Sequence, residues 1–220
     1  MPLNLPQPII YLITSGATTP STDPAAENFQ NVLSLIAAAV RAEVSLVQLR
    51  EKRLTARALY ELAARSADIV RGTGTRLLVN DRADIARAAG ADGVHLTTRS
   101  LEAPIVRRAF GPEFLIGVST HSPAEARAAY EQGADFAVFG PVFDTPSKRA
   151  YGPPAGLESL REAARAVVPF PLLALGGVTL DNASAALDAG ASGVAAIRLF
   201  GDPEQLAQTI GTIRGRRGPV

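Results

Sequence analysis

Three short stretches share one pattern: Ala89-Gly90-Ala91-Asp92-Gly93-Val94, Gln132-Gly133-Ala134-Asp135-Phe136-Ala137 and Ala189-Gly190-Ala191-Ser192-Gly193-Val194. Each follows a segment with apolar residues at helical spacing and leads through a short polar turn into an apolar run. Glycine takes the left-handed conformation that closes a helix C-terminus without steric cost. The repeated unit therefore reads helix, tight turn, strand.

The same unit extends outward over the chain. Short runs rich in branched aliphatic residues read as strands buried on both faces: Ile9–Thr14, Leu46–Arg50, Arg76–Asn80, Gly93–Leu96, Leu115–Ser119, Phe136–Gly140, Leu172–Leu175 and Gly193–Ile197. Between them lie helical patterns at Asn28–Arg41, Thr55–Arg71, Arg82–Ala89, Leu101–Ala109, Pro123–Gln132, Leu157–Val167, Leu180–Ala189 and Pro203–Ile213. Such alternation leaves a closed barrel or an open doubly wound sheet. No Gly-x-Gly-x-x-Gly follows the first strand, which weighs against a dinucleotide fold. The expected class is α/β, a single (β/α)8 TIM barrel over residues 1–220, near the lower end of the roughly 200 to 400 residues such barrels span. Two stretches interrupt the spacing: Ser15–Ala26 after strand one and Tyr151–Pro154 after strand six. Both read as βα loops, the class that builds the active face of this fold.

Composition narrows the function classes. Twenty-two basic residues nearly cancel 21 acidic ones, so no basic excess points to nucleic acid or a membrane surface. The chain has no cysteine, which excludes disulfides, zinc-thiolate sites and a thiol nucleophile. Met1–Pro8 lacks the pattern of a signal peptide, and the apolar runs are too short to span a bilayer. The expected setting is the cytoplasm; a homo-oligomer is compatible with this composition.

Strand-end residues are the candidates for chemistry. Alternation puts Gln48, Arg50 and Lys52 on one side of strand two, where two cations and an amide suit a polyanion. A ring of solvated rim charges is the other reading. Asp81, after strand three, could hold magnesium against phosphate oxygens or cap the following helix. Of the two histidines, His121 lies past the end of strand five, where an imidazole could move a proton; His95 reads as a packed barrel residue. Thr145, Ser147, Lys148 and Arg149 make a plausible phosphate clamp. Gly176-Gly177 is either a tight turn or a place where phosphate meets backbone N–H groups, as it often does after strands seven and eight.

Gln48-Leu49-Arg50-Glu51-Lys52, Asn80-Asp81-Arg82, Ala91-Asp92-Gly93-Val94-His95-Leu96 and Gly117-Val118-Ser119-Thr120-His121 occur in this order, followed by Gly140-Pro141-Val142-Phe143, Thr145-Pro146-Ser147-Lys148 and Gly176-Gly177-Val178. Each is weak alone; together, over nearly the whole chain, they resemble the thiamine phosphate synthase and thiazole tautomerase superfamily, and the synthases more closely. The resemblance implies condensation of 4-amino-2-methyl-5-hydroxymethylpyrimidine diphosphate with a thiazole phosphate (or its carboxylate), releasing diphosphate with Mg2+. It implies that Gln48, Arg50, Lys52, Asn80 and Lys148 hold the pyrimidine diphosphate and that Asp81 ligates the metal. Ser119, Thr145, Ser147 and the backbone at Gly177 and Ala195, Ala196 and Ile197 would hold the thiazole phosphate. Lys148, Arg50, Ser119 and His121 would carry catalysis.

One position departs from the pattern. The synthases typically read Gly-Gln-x-Asp after the strand-four histidine, and that aspartate is a second magnesium ligand. Here Thr97-Thr98-Arg99-Ser100 stands instead, with Ser100 in the aspartate position. Arg99 could supply positive charge directly. The departure fits a metal-independent tautomerase using His121, whereas Gln48, Arg50, Lys52, Asp81 and Lys148 fit a diphosphate substrate. A non-catalytic barrel that binds a thiamine precursor as a regulator is a third reading, and an unrelated phosphate-binding barrel a fourth. Ser15–Ala26 is longer than this family usually carries; it could close over the pyrimidine pocket, but the expected reading is a mobile surface insertion, since surface insertions are cheaply tolerated.

Overall fold

The computed structural model describes residues 5–145 and 152–215. Eight parallel strands close into a barrel: β1 (Ile9–Ile13), β2 (Leu46–Leu49), β3 (Arg76–Asn80), β4 (Gly93–Leu96), β5 (Leu115–Thr120), β6 (Phe136–Phe139), β7 (Leu172–Leu175) and β8 (Gly193–Ala196). The strands pair in sequence order, and β8 returns to β1 through Ile9 opposite Gly193. The helices between them are α1 (Glu27–Arg41), α2 (Ala56–Val70), α3 (Ala83–Ala88), α4 (Ala103–Phe110), α5 (Pro123–Glu131), α6 (Gly156–Val167), α7 (Ala183–Asp188) and α8 (Leu206–Gly215). Every strand and helix expected from the sequence is present, with ends moved by at most three residues.

Alternation along the strands divides two cores. Ile9, Tyr11, Ile13, Leu46, Leu78, Phe136 and Leu173 fill the barrel interior. Ile10, Leu12, Val47, Leu49, Leu77 and Val79 join helix residues such as Phe29, Ile36, Leu62 and Leu160 in the outer layer. Because both faces are covered, the strands read as continuous apolar runs. Among the described residues no helix is long and apolar enough to cross a membrane.

The repeated glycine turn is built as its sequence implies. Gly90, Gly133 and Gly190 have φ of 75°, 79° and 101°. In each copy the next N–H donates five residues back: Ala91 to Ala86, Ala134 to Ala129 and Ala191 to Ala186. This is the Schellman closure of a helix. The aspartates then stitch strands together, Asp92 accepting from Leu77 N at 2.8 Å and Asp135 from Ile116 N at 2.7 Å. Arg107 backs Asp135 at 2.7 Å.

A fourth copy is hidden in the sequence. After α1, Val44 N donates to Ala39 O, and Glu43 holds the glycine position with φ of 54°. A residue with a Cβ is strained there by roughly 1–2 kcal/mol, of which glycine returns part to unfolded-chain entropy. Glu43→Gly is therefore expected to stabilise the protein by about 0.5 kcal/mol, read as a higher urea midpoint at unchanged slope.

The loop after β1 departs from expectation. Glu51, buried at the end of β2, accepts from Thr14 Oγ1 at 2.6 Å, Gly16 N at 3.1 Å, Thr18 N at 3.2 Å and Thr18 Oγ1 at 2.6 Å. Thr22 is buried and joined to Thr19 N and Asn28 Nδ2. Four donors converging on one carboxylate make the first half of this segment a fastened cover beside the barrel mouth, not a loosely attached insertion.

Candidate active site

At the C-terminal mouth of the barrel, inward positions become polar. Gln48 on β2, Asn80 on β3 and His95 on β4 are buried, and Ser119 on β5 is half-buried. Gln48 Nε2 donates to Asn80 Oδ1 at 2.9 Å, and Asn80 Nδ2 donates to Asp81 Oδ2 at 2.6 Å. Three of the sequence candidates thus form one chain ending on a carboxylate.

Asp81 is not a helix cap. The cap position of α3 is Arg82, with no side-chain cap bond. Asp81 instead adopts a φ of 60°, a conformation aspartate tolerates better than most residues, and turns toward the loop after β4. There Thr97 Oγ1 donates to Asp81 Oδ1 at 3.1 Å, and Ser100 Oγ donates to the same oxygen. The serine in the aspartate position therefore does face Asp81. Among the described residues no three His, Cys, Asp or Glu side chains gather as a metal cluster. Magnesium takes hard oxygen ligands and is commonly held by one or two carboxylates plus substrate phosphates. A carboxylate flanked by two hydroxyls fits that donor set, with one negative charge fewer than a paired-aspartate site.

Arg50 is half-buried just past β2, its N–H bound to Thr14 Oγ1 at 2.9 Å. Lys52 lies in the turn beyond and is exposed. Its charge acts on His95, so it stands over the same mouth. His95 has the packed role expected of it: Tyr11 Oη meets Nδ1 at 3.1 Å, and Nε2 meets Ser119 Oγ at 2.9 Å. Burial pushes the imidazole pKa down to about 4; Asp81 opposes this shift and Lys52 reinforces it. Burial also raises the Tyr11 hydroxyl well above its ordinary value. The imidazole is therefore neutral at physiological pH.

His121 differs. It is exposed, its Nδ1 donates to Gly140 O at 2.5 Å, and its N–H donates to Glu125 Oε2 at 2.8 Å. Ser122 caps α5 through Glu125 N, so the turn that carries His121 is fixed at both ends.

The far side of the mouth is formed after β6, β7 and β8. Gly176 and Gly177 have φ of 93° and 67°. A Cβ on Gly176 would lie 2.5 Å from Pro141 Cβ, and one on Gly177 2.5 Å from Asp144 O. Both glycines are thus required by close approach of the β6 loop, and the carbonyls of their turn are held by Phe143 N at 3.0 Å and Asn182 Nδ2 at 2.9 Å. Thr145 is buried, and Arg198 Nη2 donates to its Oγ1 at 3.4 Å. The side chain of Ala196 packs in the outer core, so only its backbone can serve the mouth, whereas Ile197 packs against the interior cluster. Ser147 and Lys148 lie outside the described residues. Arg198, one residue past the expected segment, adds a cation that the strand-end rule would have flagged.

A separate groove of about 880 Å³ opens at the opposite end, lined by Glu43, Arg76, Asp92, Asp135 and Arg214. Its walls are the residues that close the helix-to-strand turns, and none of the mouth residues borders it.

Fold and mouth together define a (β/α)8 barrel with a cationic, amide-lined site at its strand ends. Residues 11–200 match the profile of the thiamine monophosphate synthase family, and the chain belongs to that family. It is 39% identical to a thiamine-phosphate synthase of Roseiflexus castenholzii, covering 94% of this chain and 91% of the relative. It is 46% identical to one of Methanoculleus marisnigri, covering 75% and 77%. Among solved structures, thiamine phosphate pyrophosphorylase from Pyrococcus furiosus superposes with a TM-score of 0.76 at 28% identity, covering 94% of both chains.

Proposed function

We propose that the whole 220-residue chain is one cytoplasmic barrel that makes thiamine phosphate from a hydroxymethylpyrimidine diphosphate and a thiazole phosphate. The observation that carries this reading is the Gln48–Asn80–Asp81 chain beside Arg50 at one mouth, opposite a glycine turn backed by Thr145 and Arg198. Two anionic groups need two stations, which these two groups of residues would supply.

In the reaction the pyrimidine CH2–O bond breaks, the electron pair leaves with diphosphate, and the thiazole nitrogen supplies the pair for the new C–N bond. No protein nucleophile is needed; catalysis consists of stabilising departing charge. Arg50, Lys52 and Lys148 would bind the diphosphate oxygens, with Gln48 and Asn80 orienting it. Ser119, Thr145, Ser147 and the backbone at Gly177 and Ala195–Ile197 would seat the thiazole phosphate, assisted by Arg198. Asp81 would hold magnesium, which when bound neutralises phosphate charge. Arg99, exposed beside Ser100, would add positive charge from the protein.

A proton-transfer role for His121 in a tautomerase draws no support from the relatives above, and such a reaction has no use for a diphosphate grip. In a thiamine-requiring bacterium lacking its own synthase, the wild-type gene should restore growth without thiamine; failure at normal protein levels would count against the reading.

Restoring the missing carboxylate gives a sharper test. Ser100→Asp places a second charge against Asp81 and is expected to lower the magnesium concentration for half-maximal rate roughly tenfold. Calorimetric titration of the ligand-free protein with magnesium should show the same direction. Unchanged binding would mean that Ser100 does not face the metal.

A further inference from the structure

We infer that Tyr11 and His95 form a one-way hydrogen-bond relay that leaves the Ser119 hydroxyl as a donor toward a substrate phosphate oxygen, making Tyr11 and His95 positioning residues; the identity of that acceptor rests on the synthase reading. The direction follows from donors and acceptors. Tyr11 Oη is fully buried, and its polar partner is His95 Nδ1 at 3.1 Å. A phenol has one hydrogen to give, and buried donors in folded proteins find acceptors. His95 Nδ1 must therefore be bare. A neutral imidazole with a bare Nδ1 carries its hydrogen on Nε2. That nitrogen lies 2.9 Å from Ser119 Oγ, so the serine oxygen accepts there. Its own hydrogen has no other partner among the described residues, and Ser119 is half-buried on the mouth.

The opposite tautomer reverses both ends. With hydrogen on Nδ1, Tyr11 would keep a buried hydrogen without an acceptor. Ser119 would donate inward to Nε2 and turn its lone pairs toward an incoming anion. Surrounding residues hold the ring in place. A Cβ on Gly117 would lie 2.8 Å from His95 Nδ1 and 2.4 Å from Phe136 Cζ, so this position is kept bare where the imidazole approaches Tyr11. Phe136 meets the Tyr11 ring edge-on at 5.4 Å and 83°.

Nitrogen-15 spectra of the histidine side chains in the ligand-free full-length protein distinguish the tautomers. With two histidines in the chain, a His121→Gln variant assigns the signals. The expected result is a pyridine-type Nδ1 and a pyrrole-type Nε2 for His95. Tyr11→Phe should move the ring toward a mixture and raise the KM for thiazole phosphate about tenfold, the size of one lost hydrogen bond. It should cost nothing further in a Ser119→Ala background. A pyrrole-type Nδ1 in the wild type would overturn the relay, as would fully additive losses in the double variant. Because the spectrum needs no turnover, the two readings fail separately. The expected tautomer in a protein that makes no thiamine phosphate supports the relay and overturns the synthase reading; the wrong tautomer in an active synthase does the reverse.

Discussion

Arg50→Ala is expected to lower kcat/KM for the pyrimidine diphosphate by roughly 10²–10³, while the melting temperature stays within about 2 °C. Arg50 stands at the end of β2, and its backbone is tied to Thr14. Among the described residues its guanidinium has no hydrogen-bond or ion-pair partner. A cation kept without a carboxylate partner at the strand end, two residues past Gln48, is available to a ligand. Charge-assisted bonds contribute about 1.5–3 kcal/mol each, and a guanidinium makes two to a phosphate. Arg50→Lys keeps the charge without the fork, so it should recover part of the loss. Unchanged steady-state kinetics in Arg50→Ala would show that this residue is only part of a solvated rim.

Glu51→Ala should destabilise the protein by about 4 kcal/mol, the cost of leaving several buried donors without an acceptor. The carboxylate gathers Thr14 Oγ1, Gly16 N, Thr18 N and Thr18 Oγ1, and both threonines are buried. At this chain length the melting temperature would fall by roughly 10 °C. Activity should fall as well, since Thr14 also carries the Arg50 backbone. Glu51→Gln preserves shape but turns an N–H2 group toward donors, so an intermediate loss is expected. If Glu51→Ala melts with the wild type, the loop after β1 is not fastened as described.

These two neighbours show what a sequence reveals and what it hides. Arg50 could be singled out as a candidate because the rule that active residues sit at barrel strand ends needs only local position. Glu51 drew no reading of its own, because its role depends on partners 33 to 37 residues away that no local pattern connects. The strands and three glycine turns were legible because helix closure and apolar runs are short-range signals. The fourth turn escaped notice because Glu43 occupies the glycine position at a φ of 54°. Asp81 was open between cap and ligand because aspartate suits both, and the structure removes the cap reading by putting Arg82 at the cap position. His95 read correctly as a packed residue, but its links to Tyr11 and Ser119 cross three strands.

The central claim is tested most directly by incubating the purified protein with hydroxymethylpyrimidine diphosphate and thiazole phosphate, with and without magnesium, and measuring thiamine phosphate. The account predicts magnesium-dependent product that Arg50→Ala nearly abolishes. No product from folded protein, with the thiazole carboxylate phosphate aromatised instead in a His121-dependent way, would contradict it.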